Sequence, residues 1–157
     1  MNTIRIYFPI EIITHIIMFI YIPIQMSCGA NHTIFLNDTN DIYIWGSNAY
    51  DQLGLGDITR YLSPQKLELY EDIKSICCGQ FHNIALTYIP NKIYVWGDND
   101  FGQLGLGDEE NRVIPHELLL PVVAIESIYC GGYHTILLTN ISNQLCVWGG
   151  NFDGQLG

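Results

Sequence analysis

The stretch CGQFHN (residues 78–83) decides the fold, because the chain contains it three times in nearly the same form. CGANHT (28–33) precedes it and CGGYHT (130–135) follows it. The histidine of the phrase recurs at intervals of 50 and 52 residues. Three roles would suit a C-G-x-x-H phrase: a metal ligand set, a catalytic pair, or a structural element of a repeated fold. The sequence around each copy discriminates between them.

The similarity extends well beyond the phrase itself. Each copy is followed by an apolar run, a polar turn and a Trp-Gly pair, and the tryptophans recur at intervals of 51 and 52 residues. The repeated segments are IYIWGSN (42–48), IYVWGDN (93–99) and LCVWGGN (145–151), followed by AYDQLGLGD (49–57), DFGQLGLGD (100–108) and FDGQLG (152–157). One unit of about fifty residues is therefore present about two and a half times.

Within each unit the apolar runs are short and are bounded by Gly, Asn and Asp, without helical periodicity. That pattern predicts strands and turns. Runs 82–86 and 93–96 flank a polar turn and predict an antiparallel hairpin. Runs 73–77 and 125–129 add a strand before the phrase. A period near fifty with several short strands is typical of a β-propeller blade.

The fixed order of CGxxHT, VWGxN and GQLGLGD resembles the regulator of chromosome condensation repeat family, over about residues 24–157. The resemblance implies a β-propeller, ordinarily of seven blades, in which each blade is a four-stranded sheet. We therefore expect an all-β fold in which residues 23–157 form a partial propeller of about 2.5–3 four-stranded blades. An incomplete ring predicts self-association through open blade edges.

Residues 1–22 lie outside the repeat, and we expect a short hydrophobic α-helix there. The charge-free run 12–26 is shorter than the ~20 apolar residues of a membrane span, and no small-residue cleavage pattern indicates a signal peptide. Pro9 suits a first helical position, and Ile12, Ile16 and Ile20 form an apolar stripe. The stretch resembles the opening helix of the F-box motif, which binds the adaptor of a cullin-type ubiquitin ligase. The alternative is a helix that packs over the edge of the first blade.

The repeated Cys and His do not suit a metal or catalytic site. Zn²⁺ needs four ligands around one point, whereas copies in successive blades are separated by about the ~10 Å between packed sheets. Three copies without an orienting acid also do not suit a nucleophilic pair. We expect no metal, cofactor or catalytic residue. Instead, the Gly would permit close backbone approach, the Cys would fill core, and the His would cap backbone groups at a strand end.

The GQLGLGD segments lack the glycine order, the lysine and the following helix of a phosphate-binding loop. We expect their Gln to bond loop backbone groups, and their Leu and the preceding Trp to pack between blades. Asp51 replaces the glycines at 102 and 154, which predicts local strain if that position needs a positive φ. The predicted structural set is Cys28, Gly29, His32, Trp45, Gly46, Gln52, Leu53 and Gly54, then Cys78, Gly79, His82, Trp96, Gly97, Gln103, Leu104 and Gly105, then Cys130, Gly131, His134, Trp148, Gly149, Gln155, Leu156 and Gly157.

Composition and the residues that differ between units bear on function. A formal net charge of −10 disfavours nucleic-acid binding. Partner contact is therefore assigned to the variable loops, because loops on a rigid scaffold are free to vary. These contact residues are Tyr50, Asp57, Arg60 and Tyr61 in the first long loop, and Asp108, Glu109, Glu110 and Arg112 in the second.

We expect a non-enzymatic protein–protein interaction module, cytoplasmic or nuclear, with a protein partner and no membrane or nucleic-acid contact. The family resemblance implies a first alternative, guanine-nucleotide exchange on a small GTPase, which the founding member performs through loops on one propeller face. The F-box resemblance implies a second alternative, a substrate receptor that binds a ubiquitin-ligase adaptor.

Overall fold

A computed structural model describes residues 23–88, 92–120, 125–140 and 144–157, and within them the chain forms three antiparallel sheets. The strands are short, as the turn residues in the sequence predict. They are β1 (Pro23–Cys28), β2 (His32–Asn37), β3 (Ile42–Gly46), β4 (Tyr61–Leu67), β5 (Ile73–Cys78), β6 (His82–Thr87), β7 (Ile93–Gly97), β8 (Arg112–Leu118), β9 (Ile125–Cys130), β10 (His134–Thr139) and β11 (Leu145–Gly149).

Each sheet is a meander whose strands pair in chain order, β1-β2-β3-β4, β5-β6-β7-β8 and β9-β10-β11. The predicted partial propeller is confirmed, with four strands in the first two blades and three in the third. The helix predicted for residues 1–22 lies outside the described residues. In the ranges that the structure covers, none of the elements is a helix with the length and hydrophobicity of a membrane span.

The apolar core lies between the sheets. Between the first and second sheets, Ile34 and Leu53 pack with Ile76 and Trp96. Between the second and third sheets, the corresponding cluster includes Leu104. Fully burying one such side chain stabilises the fold by about 1.5–3 kcal/mol, so stacking against a neighbour is the main stabilisation available to a blade.

Polar bonds join successive blades along the inner strands β1, β5 and β9. The amide of Ala30 donates to the carbonyl of Gln80 at 3.0 Å, and the amide of Gln80 donates to the carbonyl of Gly132 at 2.9 Å. The C-G turns of the three blades surround an open cavity of about 270 Å³. The three C-G turns, which follow the inner strands β1, β5 and β9, therefore lie side by side around this cavity.

The third sheet presents both a face and an edge among the described residues. Its outer strand β11 pairs with β10 only. Leu145 of this strand is 64% exposed and Val147 is 37% exposed. Self-association through open blade edges stays a prediction.

Candidate functional site

The spacing of the C-G-x-x-H phrase is explained by a closed turn. The amide of Gly79 donates to the carbonyl of His82 at 2.9 Å, and the same bond is 3.0 Å long in the first blade and 2.9 Å in the third. The imidazole folds back over the glycine: a Cβ added to Gly79 would lie 2.0 Å from Cε1 of His82. Only a glycine leaves room for the ring, as predicted.

Each buried histidine ring connects its blade to the next one. Nε2 of His32 lies 2.8 Å from Oδ1 of Asn83, and Nε2 of His82 lies 3.3 Å from Oγ1 of Thr135. The prediction that the ring caps backbone groups is therefore wrong, because its partner is a side chain of the following blade. Asn83 makes a second bond between the same two blades, since its Nδ2 donates to the carbonyl of Gln52 in the loop after β3 at 2.7 Å.

Burial keeps these histidines neutral. It lowers the pKa of His82 to about 3, and it lowers the pKa of His32 as well, although the Asn83 hydrogen bond acts in the opposite direction. A neutral ring with Nε2–H facing the Asn83 carbonyl oxygen donates the inter-blade bond. The rings of His32 and His82 are thus structural groups that remain uncharged near neutral pH.

The cysteines of the phrase differ in their surroundings. Cys78 is buried in the core as predicted, whereas Cys28 is exposed and Cys130 is half-buried, so the core-filling prediction is wrong for Cys28. Burial raises the pKa of the Cys78 thiol to about 12, which opposes the thiolate form that binds metals. Among the described side chains, no group of three or more His, Cys, Asp or Glu could hold a metal ion.

The long loops are organised from within by an asparagine and a glutamine. Asn99 Oδ1 accepts from the amide of Leu104 at 2.9 Å, and its Nδ2 donates to the carbonyl of Asp108 at 2.8 Å. Gln103 Oε1 accepts from the amide of Phe101 at 2.9 Å. The glutamine role was predicted. The asparagine role was missed, although its recurrence after every Trp-Gly pair was a sufficient signal. Asn48, Asn151, Gln52 and Gln155 make equivalent bonds to loop amides.

The repeated leucines and tryptophans pack between blades. Leu53 and Leu104 are fully buried. A Cβ on Gly54 would lie 2.5 Å from Cδ1 of Trp96, and one on Gly105 would lie 2.7 Å from Nε1 of Trp148. The rings of Trp96 and Trp148 therefore lie on the loop of the preceding blade, which confirms inter-blade packing for these two tryptophans. Trp45 contacts Phe35 within its own sheet, with ring centroids 5.9 Å apart.

The backbone at Asp51 adopts the left-handed conformation that its glycine counterparts predict. Its φ is 58°, against 71° at Gly102 and 77° at Gly154. Aspartate tolerates this region better than most residues, but without the freedom of glycine. The predicted local strain in the first blade is therefore present.

Several predicted partner-contact residues bond each other within their own loops. Asp57 accepts from the hydroxyl of Tyr61 at 2.8 Å, and Asp108 pairs with Arg112 at 2.6 Å. The amide of Thr59 and the Tyr61 hydroxyl lower the pKa of Asp57, and Arg112 lowers that of Asp108. These two pairs connect each long loop to the first residue of the strand that follows it, β4 or β8. Arg60, Glu109 and Glu110 are exposed beside them.

The remaining predicted contact residue, Tyr50, belongs to a row of rings that sequence reasoning missed. Tyr50 stacks on Phe81 with centroids 4.4 Å apart, and Phe81 lies 6.4 Å from Tyr133. Tyr133 contacts Phe101 at 5.3 Å and Phe152 at 6.4 Å. We call these five residues the aromatic strip. The available signal was the aromatic residue before the histidine in the second and third copies, and the aromatic residue two or three positions before each Gln-Leu-Gly.

The aromatic strip lies at one end of all three sheets. The register pairs His32 with Gly46, His82 with Gly97 and His134 with Gly149. The turns before β2, β6 and β10 and the loops after β3, β7 and β11 therefore share that end. We call it the loop face. Tyr50 and Phe101 are each 40% exposed and Phe152 is 64% exposed. The loop face thus combines exposed rings with the variable loops on one rigid support.

Comparison with known proteins agrees with this architecture. One model of the "Regulator of chromosome condensation (RCC1) repeat" matches residues 40–86 and 91–138. A second model with the same description matches residues 24–52, 73–103 and 125–155. Together the matched segments contain every copy of the C-G-x-x-H phrase and of the Trp-Gly pair.

Similar proteins contain this region as a minor part of a longer chain. The mouse X-linked retinitis pigmentosa GTPase regulator is 35% identical over 140 residues, which cover 87% of this chain and 14% of that protein. The human probable E3 ubiquitin-protein ligase HERC4 is 38% identical over 138 residues, which cover 85% of this chain and 13% of that protein.

The fold is similar to a solved structure as well. Prp20p from Saccharomyces cerevisiae superposes with a TM-score of 0.72 at 30% identity, over 83% of this chain and 31% of that one. The chain thus spans less than a third of each of these relatives. With both family models matching and the blade geometry in agreement, the chain belongs to the regulator of chromosome condensation repeat family.

Proposed function

We propose that the chain is a non-catalytic protein-recognition module that binds a protein partner through its loop face. The observation that carries this proposal is a division of roles among the residues. The repeated polar side chains bond one blade to the next, as His32 does with Asn83. The rings of the aromatic strip also contact each other across blades, but three of the five are substantially exposed and leave surface for a partner.

Exposed aromatic rings on a rigid support are suited to protein recognition. Large rings provide most of the binding energy in many interfaces, and they lose little conformational entropy on binding. The inter-blade bonds and the buried Leu104 hold the loops in place before a partner arrives. A pre-organised surface loses less free energy to ordering on binding.

A photo-crosslinking experiment tests the proposal. A photoreactive phenylalanine analogue replaces Phe101 in the full chain, and crosslinked proteins are identified by mass spectrometry and then tested as purified proteins. The same analogue at Tyr70, which is 86% exposed and lies off the loop face, is the matched control. We expect one partner to crosslink from position 101 alone, and to lose binding when Tyr50 and Phe152 are both replaced by serine.

Two outcomes would contradict the proposal. Either no protein crosslinks at position 101 above the level at position 70, or the captured protein binds the Tyr50→Ser/Phe152→Ser chain as well as the unchanged chain. Circular dichroism and thermal unfolding of the double variant show that the blades remain folded, so that lost binding reports on the surface.

A second candidate function is regulation of a small GTPase by guanine-nucleotide exchange. It is favoured by the similarity to a protein named as a GTPase regulator and to Prp20p, whose structure was reported with its binding properties to Gsp1p and histones. The test is the release of a fluorescent guanine nucleotide from purified small GTPases with and without the chain. Unchanged release from every GTPase tested removes this candidate.

The third candidate is a receptor for ubiquitination, favoured by the similarity to a protein named as a probable ubiquitin-protein ligase and by the F-box-like pattern in residues 1–22. Both family models begin at or after residue 24, so the pattern stays a prediction. Pull-down of the ligase adaptor by the whole chain and by residues 23–157 tests it. Equal retention by the two would contradict the F-box interpretation.

A further inference from the structure

The aromatic strip is continuous across the three blades. Its rings follow each other in steps of 4.4 Å from Tyr50 to Phe81, 6.4 Å to Tyr133 and 6.4 Å to Phe152. Phe101 lies beside the last two, 5.3 Å from Tyr133 and 4.9 Å from Phe152. An extended segment of about five residues covers such a path at ~3.3 Å per residue.

Each of the three most exposed rings of the strip has an aspartate next to it in the sequence. Asp51 follows Tyr50, Asp100 precedes Phe101, and Asp153 follows Phe152. Asp100 and Asp153 are exposed and Asp51 is half-exposed. Each blade therefore contributes one aspartate next to an exposed ring of the strip.

Four acidic side chains of the described residues pair with cations. Lys66 pairs with Asp41 at 2.7 Å, and Lys92 pairs with Glu71 at 3.0 Å and with Glu117 at 4.0 Å. Arg112 pairs with Asp108. None of the ion pairs recorded for the described side chains includes the three aspartates of the strip. Asp51 Oδ2 accepts a hydrogen bond from Asn111 Nδ2 at 3.4 Å, but no cation in the described part of the chain neutralises any of the three aspartates, so their charge is available to a partner.

We propose that the aromatic strip and its three aspartates bind an arginine-containing extended segment of a partner protein. This inference rests on the proposed function and names the chemistry of its partner. Guanidinium groups stack on aromatic faces and pair with carboxylates through two parallel hydrogen bonds, and a ring with a carboxylate next to it offers both.

Two features favour arginine in an extended chain. Alternate side chains of an extended segment lie about 6.6 Å apart, close to the 6.4 Å steps from Phe81 to Tyr133 and from Tyr133 to Phe152. A planar guanidinium also fits against rings better than the compact, strongly hydrated ammonium of lysine. Because the chain carries a net charge of −10, a basic segment is also attracted from a distance.

The test uses a fluorescein-labelled peptide of alternating arginine and serine, titrated with the full chain and followed by fluorescence anisotropy. Phe101→Ser with Phe152→Ser removes two stacking rings, and we expect about a 5- to 30-fold loss of affinity, since each cation–π contact contributes ~0.5–1 kcal/mol at an exposed site. Asp100→Asn with Asp153→Asn tests the carboxylates. It is expected to weaken binding and to reduce its dependence on salt.

Matched controls come from the opposite side of the molecule and from the peptide. Tyr70→Ser with Asp72→Asn removes an exposed ring and an exposed carboxylate off the loop face, and we expect unchanged affinity. Peptides in which lysine or glutamate replaces every arginine are expected to bind more weakly and not at all, respectively. Thermal unfolding confirms that each variant is folded.

The proposal is overturned if the unchanged chain does not bind the arginine peptide up to about 1 mM, where binding free energy is about −4 kcal/mol. Equal binding of the lysine peptide, or unchanged affinity in the ring or carboxylate variants, overturns it as well. If the crosslinked partner still depends on Tyr50 and Phe152 while the arginine peptide fails, the partner chemistry is wrong and the recognition function stands.

Discussion

The central strands of the second and third sheets, β6 and β10, have similar sequences and different surroundings. Every residue of β6 is buried, from His82 to Thr87, whereas burial alternates along β10. The strands make the same pairings with their neighbours. The difference arises because β6 lies between two sheets, whereas on one side of β10 the described residues form no further sheet.

This comparison separates the features that one blade has by itself from those that depend on packing against a neighbouring blade. Hydrogen-bond register, the closed C-G turn and the loop bonds are the same in both blades, since they are local. Burial, histidine pKa and tryptophan packing depend on the neighbouring sheet. The four predictions that follow test this separation by making the same change in equivalent positions.

The largest difference is expected for the tryptophans. Trp96 is fully buried, whereas Trp148 is half-buried. We expect Trp96→Ala to lower the free energy of unfolding by about 3–5 kcal/mol, and Trp148→Ala to lower it by about half as much, because less apolar surface returns to water. Urea denaturation followed by circular dichroism measures both. Equal losses would show that stacking does not distinguish the blades.

The second difference concerns how the free energy of unfolding depends on pH when His82 or His134 is replaced. Because burial lowers the folded-state pKa of His82 to about 3 from 6.5, the unfolded chain binds the proton more readily. The stabilisation is complete above pH 6.5 and is lost as pH falls toward 3, at about 1.4 kcal/mol per unit. We expect His82→Gln to flatten the stability profile between pH 7 and 5.

The matched control for this profile is His134→Gln, in the half-exposed ring of the third blade. We expect the stability profile of this variant to follow that of the unchanged chain over the same interval. Urea midpoints at several pH values provide the measurement. A flattened profile in both variants, or in neither, would contradict the assignment to His82.

The third difference concerns the residue after the histidine. Asn83 accepts from His32 and donates to the Gln52 carbonyl, whereas Thr33 is half-exposed on the first sheet. We expect Asn83→Ala to cost about 1–3 kcal/mol, because buried partners lose their bonds, and Thr33→Ala to cost less than about 0.5 kcal/mol. Denaturation midpoints of the two variants decide, and a similar cost for both would count against the inter-blade bond.

The smallest difference concerns the left-handed turn position. A Cβ at Gly102 would meet no atom within 4 Å, so Gly102→Ala tests the backbone alone and should cost about 1 kcal/mol. Asp51→Gly relieves the same strain and is expected to be neutral or stabilising by a few tenths of a kcal/mol. Thermal unfolding compares them. A strongly destabilised Asp51→Gly would show that its carboxylate matters more than its φ.

Much of the fold could be predicted because the sequence repeats. Three copies of one pattern identify strands, turns and the positions that face a neighbour, as Leu104 and Gln103 show. The positive φ at Asp51 followed from its glycine counterparts. Such inferences succeed because turns and strand pairing depend on residues close in the chain.

The candidate site was predicted less well. The partner of the His32 ring is 51 residues away in the next blade, and no local pattern indicates which side chain lies opposite it. The aromatic strip was missed for the same reason: Tyr50 and Phe81 are adjacent only because two sheets are stacked. Of the loop residues predicted to contact a partner, Asp57 and Arg112 have bonds within their loops that the sequence did not indicate, and their contact with a partner stays a prediction.

The sequence by itself determined the repeat, the strands, the closed C-G turn and the glycine positions, since each depends on backbone geometry within one unit. Only the tertiary structure decided which copies of the repeat are buried, which histidine pKa values are lowered by burial, and which aromatic rings form one surface. The physical reason is that a blade cannot bury its own two faces. Burial, desolvation and the aromatic strip all arise where one sheet meets the next.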